Sequence, residues 1–137
     1  MEGQTHNKID AAKITPPQVK WTPMALTQLE LINEHDITLR GKYFRVLISG
    51  KGCDGFTYST GFTDKKNDDL EIDIEDSRLE CSVIMDPFAA FYLQDLTIDY
   101  LQTHDSEGFV IKNHLQEKYS GKFWKSNKDL VPPMITS

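Results

Sequence analysis

The sequence predicts a mainly β fold of the α+β class: short mixed and antiparallel sheets, one N-terminal helix and one short late helix. Three observations carry this. Alternating apolar and polar residues recur in short runs over residues 43–49, 56–62, 70–74, 79–85 and 97–102, the period of half-buried strands. Helix start signals occur only twice, at Thr22-Pro23 and at Asp86-Pro87, where a capping side chain precedes a proline suited to the first helical position. Most of the strands are joined by turns rather than helices, which argues against a βαβ array.

The elements follow in order. Residues 1–13 are polar and without hydrophobic period, and Pro16-Pro17 is extended, so residues 1–20 are expected to form a tail, with Val19 and Trp21 as an edge strand or an anchor. A domain is expected over 21–126 and a second tail over 127–137. The first helix carries Ala25, Leu26, Leu29 and Ile32 at helical spacing and ends over 33–36. Residues 40–42 turn into a strand over 43–49, in which Phe44, Val46 and Ile48 share a face. A glycine-rich loop, 50–56, leads to a second strand with Phe56, Tyr58, Thr60 and Phe62 alternating. The charged run 64–69 reads as a solvated turn, because the alternating oxygen ligands of a calcium loop are missing. Leu70, Ile72 and Ile74 make a third strand, and Leu79, Cys81, Val83 and Met85 share one face of a fourth. A thiol among such aliphatics is most simply core packing. The late helix, 88–93, ends at Asp95. Strands follow at 97–102 and 108–112, then a polar segment, 114–126.

The chain has 137 residues with 39% hydrophobic and 26% charged, a globular composition of single-domain size. Its net charge of −6 argues against nucleic acid and anionic membrane as partners, since both need clustered cations. No apolar run spans a bilayer, and residues 1–20 lack the apolar stretch of a secretory signal. A cytoplasmic protein with Cys53 and Cys81 as free thiols is expected.

The chemistry concentrates at Gly50-Lys51-Gly52-Cys53-Asp54-Gly55-Phe56. Glycines let several backbone amides converge on one point, and amides aimed at sulfur favour the thiolate, which binds metals and attacks electrophiles. Cys53 is thus a candidate ligand, or simply a small residue in a hairpin loop. A nucleophilic enzyme would need a positioned base, and no such Cys/His/Asn pattern is present; an enzyme is not expected.

Tyr43-Phe44-Arg45-Val46 followed by Gly52-Cys53-Asp54-Gly55-Phe56-Thr57-Tyr58 resembles the first cysteine motif of the HesB/IscA family, the A-type iron–sulfur carriers. Asp86-Pro87, Ile98-Asp99-Tyr100 and Gly108-Phe109-Val110-Ile111-Lys112-Asn113 resemble the later motifs of that family, in order, over residues 21–124. The resemblance implies a compact HesB-like fold of β-sheets with helices packed outside. It implies iron or an iron–sulfur cluster bound across a dimer or tetramer interface. It also implies cluster donor and acceptor proteins as partners, and delivery rather than turnover.

The sequence departs from the family at its other ligands. The Cys-Gly-Cys pair falls on Ser120-Gly121-Lys122, and neither a serine hydroxyl near neutral pH nor an ammonium replaces a thiolate. Two readings remain. In one, Cys53 still binds iron or a cluster, as half of a four-thiolate set in a dimer, with His114 or His104 offering nitrogen and Asp54 an oxygen. In the other, the chain is a cluster-free HesB-like protein-interaction module.

Overall fold

Two sheets, each mixing parallel and antiparallel pairs, carry the fold. The structure, a computed structural model, describes residues 9–52, 55–74, 81–119 and 132. Its strands are β1 (Gln18–Trp21), β2 (Tyr43–Gly52), β3 (Gly55–Thr63), β4 (Leu70–Asp73), β5 (Ser82–Met85), β6 (Asp95–Gln102) and β7 (Glu107–Asn113), and its α-helices are α1 (Pro23–His35) and α2 (Pro87–Tyr92). One sheet has the order β1-β6-β7 and the other β3-β2-β5-β4. The expected mainly β, α+β class is what the described residues show.

Phe44 of β2 joins the two sheets. It meets Trp21 of β1 and Phe109 of β7 edge-on, with ring centroids 5.1 and 5.0 Å apart, and Phe62 of β3 at 5.5 Å. Edge-to-face rings suit the aromatic quadrupole. Around it Val46, Val83, Met85, Leu96 and Ile98 are fully buried, and α1 adds Ala25 and Leu29. Thr22 caps α1 as predicted: its Oγ1 accepts from Ala25 N at 3.2 Å and donates to Asp99 Oδ1 at 2.7 Å. The cap therefore also fastens the helix to β6. Gly41, at φ 84°, makes the turn into β2, a conformation glycine adopts freely.

Four expectations change. The chain before Trp21 is not all tail: Ile14 is buried, and Gln18–Trp21 pairs in parallel with β6 at the edge of its sheet, the edge strand offered for Val19 and Trp21, which pack against the core. The glycine stretch is not a long loop, since the β2–β3 ladder continues through Gly50↔Thr57, Lys51↔Phe56 and Gly52↔Gly55. Asp69 is not solvated: it is enclosed with Arg45. Arg45 Nη1 and Nη2 donate to the two Asp69 oxygens at 2.9 and 2.5 Å, Arg45 Nε donates to Thr63 Oγ1 at 2.8 Å, and Lys66 N donates to Asp69 Oδ2 at 2.7 Å. Finally, β6 begins at Asp95, two residues before the predicted start.

Cys81 is buried beside β5, and burial pushes its thiol above the ordinary value despite a backbone hydrogen bond. This is the packing role expected of it. Ile84, on the opposite face of β5, is buried as well. Leu79 lies outside the described residues.

Candidate functional site

The end of the β2–β3 hairpin frames Cys53. Gly52 pairs with Gly55, with Cys53 and Asp54 between them in sequence; both lie outside the described residues, as do Ser120 and Lys122. Four residues earlier the ladder slips. Ile48 faces Tyr58 and Gly50 faces Thr57, so Ser49 is the extra residue of a bulge, a device that bends a strand and raises its twist. Ser49 Oγ and Thr57 Oγ1 share a hydrogen bond across it at 3.2 Å. A Cβ at position 50 would come within 2.8 Å of Thr57 Oγ1, so any side chain there would force Thr57 to shift.

Beyond the hairpin end, Phe56 is buried against Tyr92 of α2, their rings 4.8 Å apart. Tyr92 also meets Phe88 and Phe91 edge-on at 5.1 and 5.0 Å. This second, smaller cluster ties the late helix to the strand that leaves Cys53.

A polar clasp then draws in the chain after β7. Asn113 Nδ2 donates to Tyr58 OH at 3.2 Å and to Tyr92 O at 3.1 Å, while Asn113 Oδ1 accepts from Leu115 N at 3.0 Å. Tyr58 OH donates to Gln116 Oε1, and Gln116 Nε2 donates to Phe56 O at 3.4 Å. Burial raises the Tyr58 phenol above its ordinary value, and the Asn113 bond opposes this only in part. Gln116 opens a 3-10 turn, Gln116–Tyr119. The segment that runs on to Ser120 and Lys122 is thus fastened to Phe56, three residues past Cys53. The sequence marks Tyr58 and Asn113 only as members of motifs and Gln116 not at all. The interlocking partners lie 55 and 58 positions apart, and no local pattern announces such a pairing.

The two candidate histidines, His104 and His114, are placed differently. His114 N donates to Asp95 O at 2.9 Å, and its Nε2 shares a hydrogen bond with Thr97 Oγ1 at 2.7 Å. Asn113, next to it, turns the other way, to β3 and α2. His104 sits in the exposed turn between β6 and β7, at the far end of a ladder that runs from Leu96↔Asn113 to Gln102↔Glu107. At roughly 3.4 Å per residue that separates it by about 20 Å from Asn113. Among the described residues, no three His, Cys, Asp or Glu side chains come together as a metal site. No described helix is long and apolar enough to cross a membrane.

No family model matches the chain, but individual proteins do. The iron–sulfur cluster insertion protein ErpA of Pseudomonas savastanoi pv. phaseolicola is 33% identical over 99 residues, covering 72% of this chain and 82% of that protein. ErpA of Glaesserella parasuis serovar 5 is 41% identical over 69 residues, 50% of this chain and 58% of its own length. ErpA of Legionella pneumophila strain Paris is 38% identical over 87 residues, 61% and 65% respectively. The chain therefore spans less than two thirds of the length of the last two relatives. Among solved structures, IscA with the 2Fe–2S cluster superposes with a TM-score of 0.57 at 21% identity, over 71% of this chain and 86% of that one. Escherichia coli SufA, involved in biosynthesis of iron–sulfur clusters, gives 0.57 at 14%, over 80% and 98%. These two likenesses concern the fold. The chain belongs to the HesB/IscA family of A-type iron–sulfur carriers.

Proposed function

We propose that the protein carries iron or an iron–sulfur cluster as cargo and passes it to apo-proteins, with Cys53 as the thiolate that holds it. The observation that carries this is the frame around Cys53: a hairpin ladder kept to its end by glycines, with the chain leading to Ser120-Gly121-Lys122 clasped to the adjoining strand. The resemblance draws ligands from these two stretches, and in support Gln116, four residues before Ser120, is bonded to Phe56, three residues after Cys53.

One thiolate per chain does not complete a cluster. Two Cys53 thiolates across a homodimer supply half of a four-thiolate set, and small external thiols or the recipient protein supply the rest. His114 is the nitrogen donor of this reading. Its Nε2 shares the bond with Thr97, so Nδ1 is the nitrogen that would serve. Partners are cluster donor and acceptor proteins of the cytoplasm, not nucleic acid or membrane, and no substrate is turned over.

Ser120 and Lys122 favour a second reading, a cluster-free interaction module on the same fold. One experiment separates them. The reduced protein is incubated anaerobically with ferrous iron and sulfide, desalted, and its visible spectrum recorded beside Cys53→Ser. Absorption in the parent that vanishes in the variant supports the carrier. A colourless, folded parent sinks it and leaves the interaction module.

A further inference from the structure

A cleft of about 230 Å³ opens where three stretches of chain meet: the segment before β1, the end of α2 and the turn after β7. Ile14, Phe91 and Leu115 line it with apolar side chains, and the exposed Lys13 and Lys118 line it too. Gln94 fixes its shape, since its Nε2 donates to Thr15 O at 2.7 Å and to Ala90 O at 2.8 Å, tying the early segment to the helix end. Lys13 lies 3.8 Å from Asp10, and its side chain is 65% exposed, a pairing too weak to hold the ammonium from another anion.

We propose that this cleft receives a bulky apolar side chain flanked by carboxylates, presented by a segment of a protein partner. Size selects the occupant. The volume falls short of the roughly 300–1,000 Å³ of ordinary small-molecule pockets, but suits one anchoring side chain of the kind that dominates protein interfaces. Charge selects its neighbours: two exposed lysines line the cleft on a chain whose net charge is −6, so an acidic partner is drawn here and repelled elsewhere. Leu115 and Lys118 flank Gln116, which bonds to Phe56, so the occupant sits beside a turn fastened to the strand that follows Cys53 in sequence. Taking that partner to be a cargo recipient rests on the carrier reading; the docking itself does not.

The test uses the full chain free of iron, so that its failure and a failure to bind a cluster are separate results. Amide NMR follows titration with a blocked peptide of four glutamates around a central phenylalanine. The expected result is saturable shifts at residues 13–15, 91–94 and 115–118, weakening as salt rises from about 50 to 300 mM. The same peptide with glycine at its centre should lose at least about tenfold in affinity, and so should the original peptide against the Lys13→Glu, Lys118→Glu double variant. Both lysines are exposed, and a thermal melt checks that the variant stays folded. Equal binding of the glycine peptide, shifts elsewhere, or none at millimolar peptide would overturn the proposal. So would 4-phenylbutyrate matching the peptide's affinity, which would make this a site for free carboxylates. Dilution of the protein alone moving the same amides would overturn it too, the occupant then being a second copy.

Discussion

Arg45 and Asp69 show how much one pair of side chains settles. Arg45 occupies an ordinary strand position, yet its guanidinium grips both oxygens of a carboxylate 24 residues away and closes the turn over 64–69. Burial alone would push the Asp69 carboxyl up, but the Arg45 bonds and the Lys66 amide outweigh it and hold it below the ordinary carboxylate value. The Asp69→Asn substitution leaves the guanidinium buried without its counter-charge and should cost about 3–5 kcal/mol at neutral pH, read from urea midpoints. Because the folded pKa is depressed, the carboxylate's contribution is complete above about pH 4. It is lost as pH falls through the folded value. The gap between parent and variant should therefore narrow below pH 4; a gap constant down to pH 2.5 would show that the charge is not what stabilises the turn.

At the scale of elements, the β2–β3 hairpin and the segment after β7 are held by different devices. In the hairpin, Gly50→Ala should cost about 1 kcal/mol or more, since the new Cβ meets Thr57 Oγ1. Adding Thr57→Ala should recover much of that loss, so the two changes are non-additive; denaturation of the four members of the cycle measures it, and strict additivity would show that the strain is in the backbone. In the later segment, Asn113→Ala removes bonds to Tyr58, Tyr92 and Leu115 together. The expected loss is about 2–3 kcal/mol, with the Leu115 amide exchanging hydrogen faster than those of β6. Unchanged exchange there would show that Gln116 and packing hold the turn without Asn113.

For the whole molecule, the joint between the sheets is Phe44. Its ring meets Trp21, Phe62 and Phe109, drawing strands from both sheets onto one side chain. Phe44→Ala should cost about 3–5 kcal/mol and, because the sheets share this core, lower a single cooperative transition rather than split it. Two resolved transitions in calorimetry would mean that each sheet holds its own structure. With the sheets locked, the strand that leaves the hairpin stays beside the turn after β7.

The sequence by itself determined the strand and helix inventory, both helix caps, the packing of Cys81, the family, and Cys53 as the residue to test. These are local signals: alternation, a capping side chain before proline, a glycine stretch, motifs in order. Only the tertiary structure decided that Ile14 joins the core, that β1 pairs in parallel with β6, that Asp69 is buried, that the ladder runs on to Gly52↔Gly55, and that Tyr58, Asn113 and Gln116 interlock. It also decided that the two histidines lie apart, His114 on Thr97 and His104 at the far end of its ladder. Each of these depends on partners that meet only after the sheets pack. A residue's neighbours along the chain fix its backbone preference, while its burial, its charge partner and its company at a site are set by segments tens of residues away.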